Sequence, residues 1–358
     1  MKHSSAFVKI LFFFFFLTII SENSHAQVRA IWATAWSIKN AEQIDQLIAT
    51  AKKYKFNQIF VQSRYRSDAL YIPNRKDSTC QNPEKRSYIL NVNPAFDPLQ
   101  YLIDKTQNTD IEIHAWVTVF VMSNADITKL PFAHLWFQHP EWTTYYKGGK
   151  IMTPKMSEGA FMDPGIPQTH DYLLNILSDI VKNYNIKGIQ LDYIRYPDSL
   201  SGYNPLALKN FNPLSDTTFH QWKVNQITNF VRKVYQTLKT INPDLKCSAA
   251  VIADRKKAYN QYSQDWNSWL EKGIIDKVYL MAYNTSSKTF KTMIQSLNSV
   301  SKKEDVVIGL RAWREKEIYP ASKINEKIAF LRRHGFCDIA YYSYAGMVDA
   351  NYFSSLHF

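Results

Sequence analysis

At 358 residues the chain exceeds the usual ~100–200 for one domain, yet α/β barrels routinely run longer as a single unit, so one large domain accommodates it. Its formal charge of +12 favours anionic partners, but the basic residues are scattered rather than blocked, which argues against nucleic acid. Cys80, Cys247 and Cys337 cannot all pair with one another; Cys247 and Cys337 sit in apolar, strand-like contexts and read as small buried hydrophobes, so no disulfide framework is expected.

Met1 to Ala26 reads as a secretory signal: Lys2 and Lys9 are basic, Ile10 to Ile20 is apolar, and Ser24-His25-Ala26 offers a small-residue cleavage site. The apolar run is short for a membrane span and no lipid-accepting cysteine follows it, so a soluble, exported, periplasmic or extracellular protein is expected, without a stable membrane anchor. A first strand over Val28 to Trp36 precedes a helix over Ala41 to Tyr54, with Ile44, Leu47, Ile48 and Ala51 at helical spacing. Asn57 to Arg64 is a second strand, with Arg66, Ser67 and Asp68 just past its end. Pro94 to Gln107 is helical, and Glu112 to Phe120 is a third strand, with His114, Trp116 and Thr118 on one face.

Val121 to Pro167 departs from simple alternation. Its aromatics and the Gly148-Gly149 pair suit a hairpin within a functional lid or small subdomain. Gln168 to Tyr184 is helical and feeds a fourth strand in which Ile189 and Leu191 share one face while Gly188, Gln190 and Asp192 share the other. The remaining strands are Lys246 to Ala253, Lys277 to Tyr283, Val306 to Leu310 and Asp338 to Tyr344, separated by helices at Phe219 to Leu238, Asp265 to Leu270, Lys288 to Asn298 and Lys323 to His334. Eight strands alternating with helices imply an α/β chain closed as a parallel (β/α)8 TIM barrel, with a long insertion between strand three and helix three. In such a barrel polar residues at strand ends form the active face, which makes Asp192 the first candidate for chemistry; the alternative is a carboxylate neutralised by Arg195 or one that caps a following turn.

The runs F-V-Q-S-R-Y-R-S-D-A-L-Y (Phe60 to Tyr71), I-H-A-W-V (Ile113 to Val117), M-D-P-G-I-P (Met162 to Pro167), G-I-Q-L-D-Y-I-R-Y-P (Gly188 to Pro197), D-W-N-S-W-L-E-K-G-I-I-D (Asp265 to Asp276) and Y-L-M-A-Y (Tyr279 to Tyr283) resemble the glycosyl hydrolase-like family ten barrels. The resemblance implies a (β/α)8 barrel acting on glycans, some relatives being associated with peptidoglycan strands. It matches Asp192, Arg195 and Tyr196 to the strand-four motif, Arg64 and Asp68 to the strand-two block, and Asp163 to the D-P-G turn. Some relatives carry two adjacent acids in the fourth-strand motif, whereas Tyr193 occupies the second place here.

Glycosidic cleavage needs two carboxyl groups, one to protonate the leaving oxygen and one to attack the sugar or activate water. Asp192 can supply one; Asp68, Asp163 and Asp254 are the candidates for the other. Each has a rival reading. Arg64 and Arg66 beside Asp68 would lower its pKa and suit it to orienting a ligand; Asp163 could bond backbone amides; Asp254 could form a solvated pair with Arg255. Trp116, Trp136, Trp142, Tyr283, Trp313 and Tyr344 could stack on sugar faces, with Arg64, Arg195 and Tyr196 as further contacts, whereas Trp222, Trp266 and Trp269 read as packing. Concentrated around the groove, Arg64, Arg66, Arg195, Arg311 and Arg314 would select anionic glycans. No metal spacing, phosphate loop or nucleophile elbow occurs, and His114 reads as a core histidine, so no cofactor or metal is expected. The expected protein is a monomeric glycoside hydrolase, with a catalytically silent glycan- or cell-wall-binding barrel as the alternative.

Overall fold

The computed structural model describes residues 27–90, 96–284, 286–315 and 317–358; the expected signal at Met1 to Ala26 lies outside them. Eight strands form the barrel: β1 (Arg29–Ala33), β2 (Gln58–Tyr65), β3 (Glu112–Thr118), β4 (Gly188–Asp192), β5 (Lys246–Ile252), β6 (Lys277–Ala282), β7 (Val306–Arg311) and β8 (Ile339–Tyr342). Each pairs in parallel with the next, and β1 pairs with both β2 and β8, which closes the ring. The principal helices are α1 (Ala41–Lys53), α2 (Pro98–Thr106), α3 (Pro167–Asn183), α4 (Phe219–Ile241), α5 (Trp266–Glu271), α6 (Ser287–Ser296), α7 (Ala321–Arg333) and α8 (Tyr344–Asp349). None of the described helices is long and apolar enough to cross a membrane.

Strand alternation divides the apolar residues into two cores. Outward residues such as Ile189 and Leu191 pack with Leu173, Leu177 and Val231 of the helices, each buried side chain contributing ~1.5–3 kcal/mol. Inward residues Trp32, Phe60, Trp116, Tyr279 and Val307 fill the lumen. Gly188, Gln190 and Asp192 also point inward. Gln190 accepts the Trp32 indole N–H at 2.6 Å, and a Cβ at Gly188 would lie 2.2 Å from His114 Nδ1, so the histidine ring takes the space that any other residue there would need.

Capping decides where several elements begin. Asp97 accepts from Gln100 N ahead of Pro98, so α2 starts later than the expected Pro94, which itself lies outside the described residues. β1 stops at Ala33 because Ala35–Ser37 winds into a 3-10 turn. A helix over Arg255–Tyr262, not expected from the sequence, follows β5. β8 stops at Tyr342, because the Ser343 side chain accepts from Gly346 N and starts α8 at Tyr344. Cys337 is exposed rather than buried: it lies in the turn before β8, not in the strand.

The insertion from Val121 to Pro167 contains the expected hairpin, with Tyr145 paired to Ile151 and Gly148 and Gly149 at φ of 91° and 85°. It is not a loose lid. Val121, Met122, Met152, Phe161 and Met162 are fully buried in the outer core, and bridges Val121 to Phe161 and Thr143 to Met162 tie its ends together. Leu214, in the loop before α4, is 93% exposed and Phe132, within the insertion, is 80% exposed, so limited chymotrypsin digestion is expected to nick after these two while Phe161 and Met162 stay uncut; early cleavage at Phe161 would show that the insertion opens.

Candidate active site

Asp192 ends β4 at the C-terminal rim of the barrel, 7% exposed. Its Oδ2 accepts the Trp116 indole N–H at 3.0 Å and its Oδ1 accepts the Tyr193 backbone N–H at 2.7 Å. Trp116 reaches it because β3 and β4 align Trp116 with Gln190 and Thr118 with Asp192. Burial pushes the carboxyl up to about 6; the two hydrogen bonds and Arg195 oppose that rise, and the negative charge of Glu158 adds to it. The next residue, Tyr193, holds a left-handed φ of 53°, uncommon for a side chain of its bulk and costing roughly 1–3 kcal/mol, as found where a functional turn is held by its surroundings.

Aromatic rings surround this carboxyl. Tyr342, at the end of β8, lies 6.0 Å from Trp116, 5.7 Å from Tyr283 and 5.6 Å from Trp313, and Tyr283 and Trp313 meet edge to face at 5.1 Å. Tyr283, Trp313 and Tyr342 remain partly exposed, so their faces are open to a ligand. Tyr344 does not join them: starting α8, it turns into the outer core beside Phe353. Trp136 and Trp142 pack partly buried against the same outer core, Trp142 stacking on His139 at 3.9 Å. Sequence reasoning misses Tyr342 because a strand expected to run to Tyr344 points to the wrong tyrosine of the alternating pair.

The proposed second carboxylates are occupied in other ways. Asp163 is fully buried and accepts from Gly165 N, Thr144 Oγ1 and Asn204 N at 2.9, 2.8 and 3.2 Å, joining the insertion to the loop after β4. Asp254 is exposed and caps the Arg255–Tyr262 helix by accepting from Lys257 N. Asp68 is buried, takes a 3.3 Å bond from Ser87 and has its pKa pushed up to about 7 by burial and then by Glu84, the reverse of the expected lowering. The Ser87 bond and Arg64 oppose this rise without overcoming it, the Arg64 guanidinium being committed to Glu84 at 2.6 Å with both side chains fully buried.

That commitment also removes Arg64 from substrate contact; it donates instead to Glu84, Ser67 and the carbonyls of Thr118 and Val119. Tyr196 is likewise sealed in the outer core. Arg311 and Arg314 pair with Glu315 and Asp349 at 2.9 and 2.7 Å, so the broad basic rim inferred from the sequence is largely neutralised. Arg195 differs. Among the described residues no carboxylate lies within ion-pair distance of it, and its guanidinium sits over the rings of Tyr262, Tyr193 and Phe161 at 4.8, 5.1 and 5.6 Å.

The acid that sequence reasoning missed is Glu158, in the insertion. Its carboxylate accepts from the Tyr193 hydroxyl and its backbone carbonyl from Arg66 Nη1. A signal was present in the Glu158-Gly159 pair: Gly159 adopts φ of 136°, and a Cβ there would meet Ser123 O at 1.8 Å, so only glycine closes this turn.

Among the described residues no group of three His, Cys, Asp or Glu could hold a metal ion. A cavity of about 920 Å³ opens at the opposite, N-terminal end of the strands, lined by Glu112, Lys246, Lys277 and Asp338. Two of its lysines are paired, Lys246 with Glu112 at 2.6 Å and Lys277 with Asp338 at 3.5 Å, and conservation at that end of a barrel reads as stability rather than chemistry.

A closed parallel barrel with a buried acid and an aromatic wall at its C-terminal rim is the architecture of TIM-barrel glycoside hydrolases. The sequence matches the glycosyl hydrolase-like 10 family over residues 27–327, and the chain belongs to that family. It is 22% identical over 294 residues to glycosyl hydrolase YngK of Bacillus subtilis, covering 73% of this chain and 54% of that protein. It is 25% identical over 219 residues to glycosyl hydrolase DigH of Escherichia coli K12, covering 53% and 47%. The chain thus spans about half the length of these curated relatives. Among solved structures, the glycoside hydrolase domain of PgaB (BpsB) from Bordetella bronchiseptica superposes with a TM-score of 0.68 at 13% identity, covering 91% of this chain and 97% of that one. The α-L-fucosidase isoenzyme 2 of Paenibacillus thiaminolyticus gives 0.64 at 13% identity, covering 91% and 48%. At such identities these two likenesses concern the fold.

Proposed function

We propose that this chain is an exported glycoside hydrolase that cleaves a polysaccharide or a peptidoglycan glycan strand, with Asp192 as the acid that protonates the leaving oxygen. One observation carries the reading: a carboxyl at the catalytic rim is buried against Trp116, with its pKa raised to about 6, and so keeps its proton further towards neutral pH than an ordinary aspartate. Tyr283, Trp313 and Tyr342 offer apolar faces on which sugar rings stack, and Arg195, which meets no carboxylate among the described residues, supplies a cation beside the acid. Family membership and the apolar leader from Ile10 to Ile20 support action on glycans and export.

The rival reading is a barrel that binds glycan without cleaving it. It gains some support from the engagement of Asp68, Asp163 and Asp254 elsewhere. Incubating the purified protein with denuded peptidoglycan and with plant and host polysaccharides, followed by mass analysis of the products, separates the two. The hydrolase should release oligosaccharides, with kcat/KM falling about tenfold for each step of one in pH above about 6 as Asp192 loses its proton. Retention on the glycans with no product would support the binding reading.

A further inference from the structure

We infer that Glu158 is the second carboxylate of the site and removes the proton from the attacking water. This rests on the glycoside hydrolase reading and assigns the half of the chemistry that Asp192 cannot perform.

Three observations converge on Glu158. First, Tyr193 spans both acids: its backbone N–H binds Asp192 Oδ1 at 2.7 Å while its hydroxyl donates to Glu158 Oε2. The left-handed backbone at Tyr193 keeps both bonds within the reach of one residue. Second, the main chain at Glu158 is fixed from both sides. Its carbonyl accepts from Arg66 Nη1, and Gly159 closes against Ser123 O where no Cβ fits. Third, the Glu158 carboxylate lies near enough for its negative charge to act on both Asp192 and Tyr342.

The two environments divide the roles. Asp192 is buried against Trp116 and only 7% exposed, which suits a proton donor, whereas Glu158 is exposed and reaches water. The step then balances. A water oxygen bonds to the anomeric carbon as one water proton passes to the Glu158 carboxylate. The glycosidic C–O bond breaks with its electron pair on the leaving oxygen, which takes the Asp192 proton. Both carboxyl groups then return to their starting state by proton exchange with solvent. Net, one water is consumed per bond cleaved, and the new reducing end carries inverted configuration.

Glu158→Gln and Tyr193→Phe are compared with wild type on a polysaccharide from the panel that the wild type cleaves. Proton NMR gives the anomeric configuration of the first product, and azide is added as a nucleophile that needs no base. Glu158→Gln should lower kcat by ~10²–10⁴-fold with an unchanged melting temperature and form a glycosyl azide. Tyr193→Phe should fall between it and wild type. Near-normal turnover by Glu158→Gln, or retained configuration in the wild-type product, overturns the assignment while leaving the hydrolase reading in place. A wild type that releases product from no glycan overturns the hydrolase reading and this inference with it.

Discussion

Asp192→Asn should lower turnover by ~10²–10⁴-fold and leave a protein that is more stable than wild type above neutral pH. The loss of rate follows from removing the acid that meets Trp116 at the rim. The gain in stability follows from linkage. In the folded state the carboxyl sits at about 6 against an ordinary 3.8, so the folded protein binds its proton more tightly than the unfolded chain does. Its contribution is fully present below about pH 4 and is lost as pH rises through 6. Each tenfold difference in proton affinity between the folded and unfolded states is worth ~1.4 kcal/mol, so at pH 8 the wild type bears a penalty of roughly 3 kcal/mol. Asparagine removes that penalty but can accept only one of the bonds from Trp116 and Tyr193, returning ~1 kcal/mol. Urea titrations at pH 5 and pH 8 should show the variant gaining ~2 kcal/mol on wild type at the higher pH. A variant less stable at both values would identify Asp192 as a structural carboxylate, and one with near-normal turnover would remove it from the mechanism.

Glu84→Ala is expected to cost ~3–5 kcal/mol, because it strands the Arg64 guanidinium in a fully buried site. Against a typical stability of ~5–15 kcal/mol this is a large fraction, visible as a drop in the urea midpoint with an unchanged slope. Rate should suffer too. Arg64 donates to Val119 O at 2.9 Å, and Val119 N binds the Asp192 backbone carbonyl at 2.7 Å, so the ion pair positions the strand end that carries the acid. Replacing both partners with methionine should recover most of the stability, since neither charge is then left unpaired. A single variant as stable as wild type would show that water reaches Arg64.

These two residues mark where sequence reasoning holds and where it stops. Asp192 is legible because strand alternation is local: Gly188, Gln190 and Asp192 share a face whatever surrounds them, and a barrel's inward face at a strand end is its active rim. Arg64 lies on a strand of the same kind, where the same logic points to a ligand contact that the structure does not make. Its partner Glu84 comes from the loop beyond β2, and nothing in the spacing of the two foretells a 2.6 Å pair. Tyr342 and Tyr344 differ by one turn of capping chemistry, the Ser343 hydroxyl ending one element and starting the next.

The sequence by itself determined the order of the eight barrel strands, the inward and outward faces of β4, the glycine-rich hairpin at Gly148 and Gly149, and the family, because hydrophobic period, turn residues and contiguous motifs are all encoded within a few residues of one another. Only the tertiary structure decided which acids lie beside Asp192 and which are engaged elsewhere. Asp68, Asp163 and Asp254 stand near strand ends or turns in the sequence, yet their carboxyls are engaged by Ser87, by the Thr144–Asn204 junction and by a helix N-terminus. Glu158 stands at no strand end, and only the folded insertion carries it to the Tyr193 hydroxyl beside Asp192. A carboxylate's role depends on burial and on partners brought together by chain closure, and those are distances in space that residue spacing along the chain does not record.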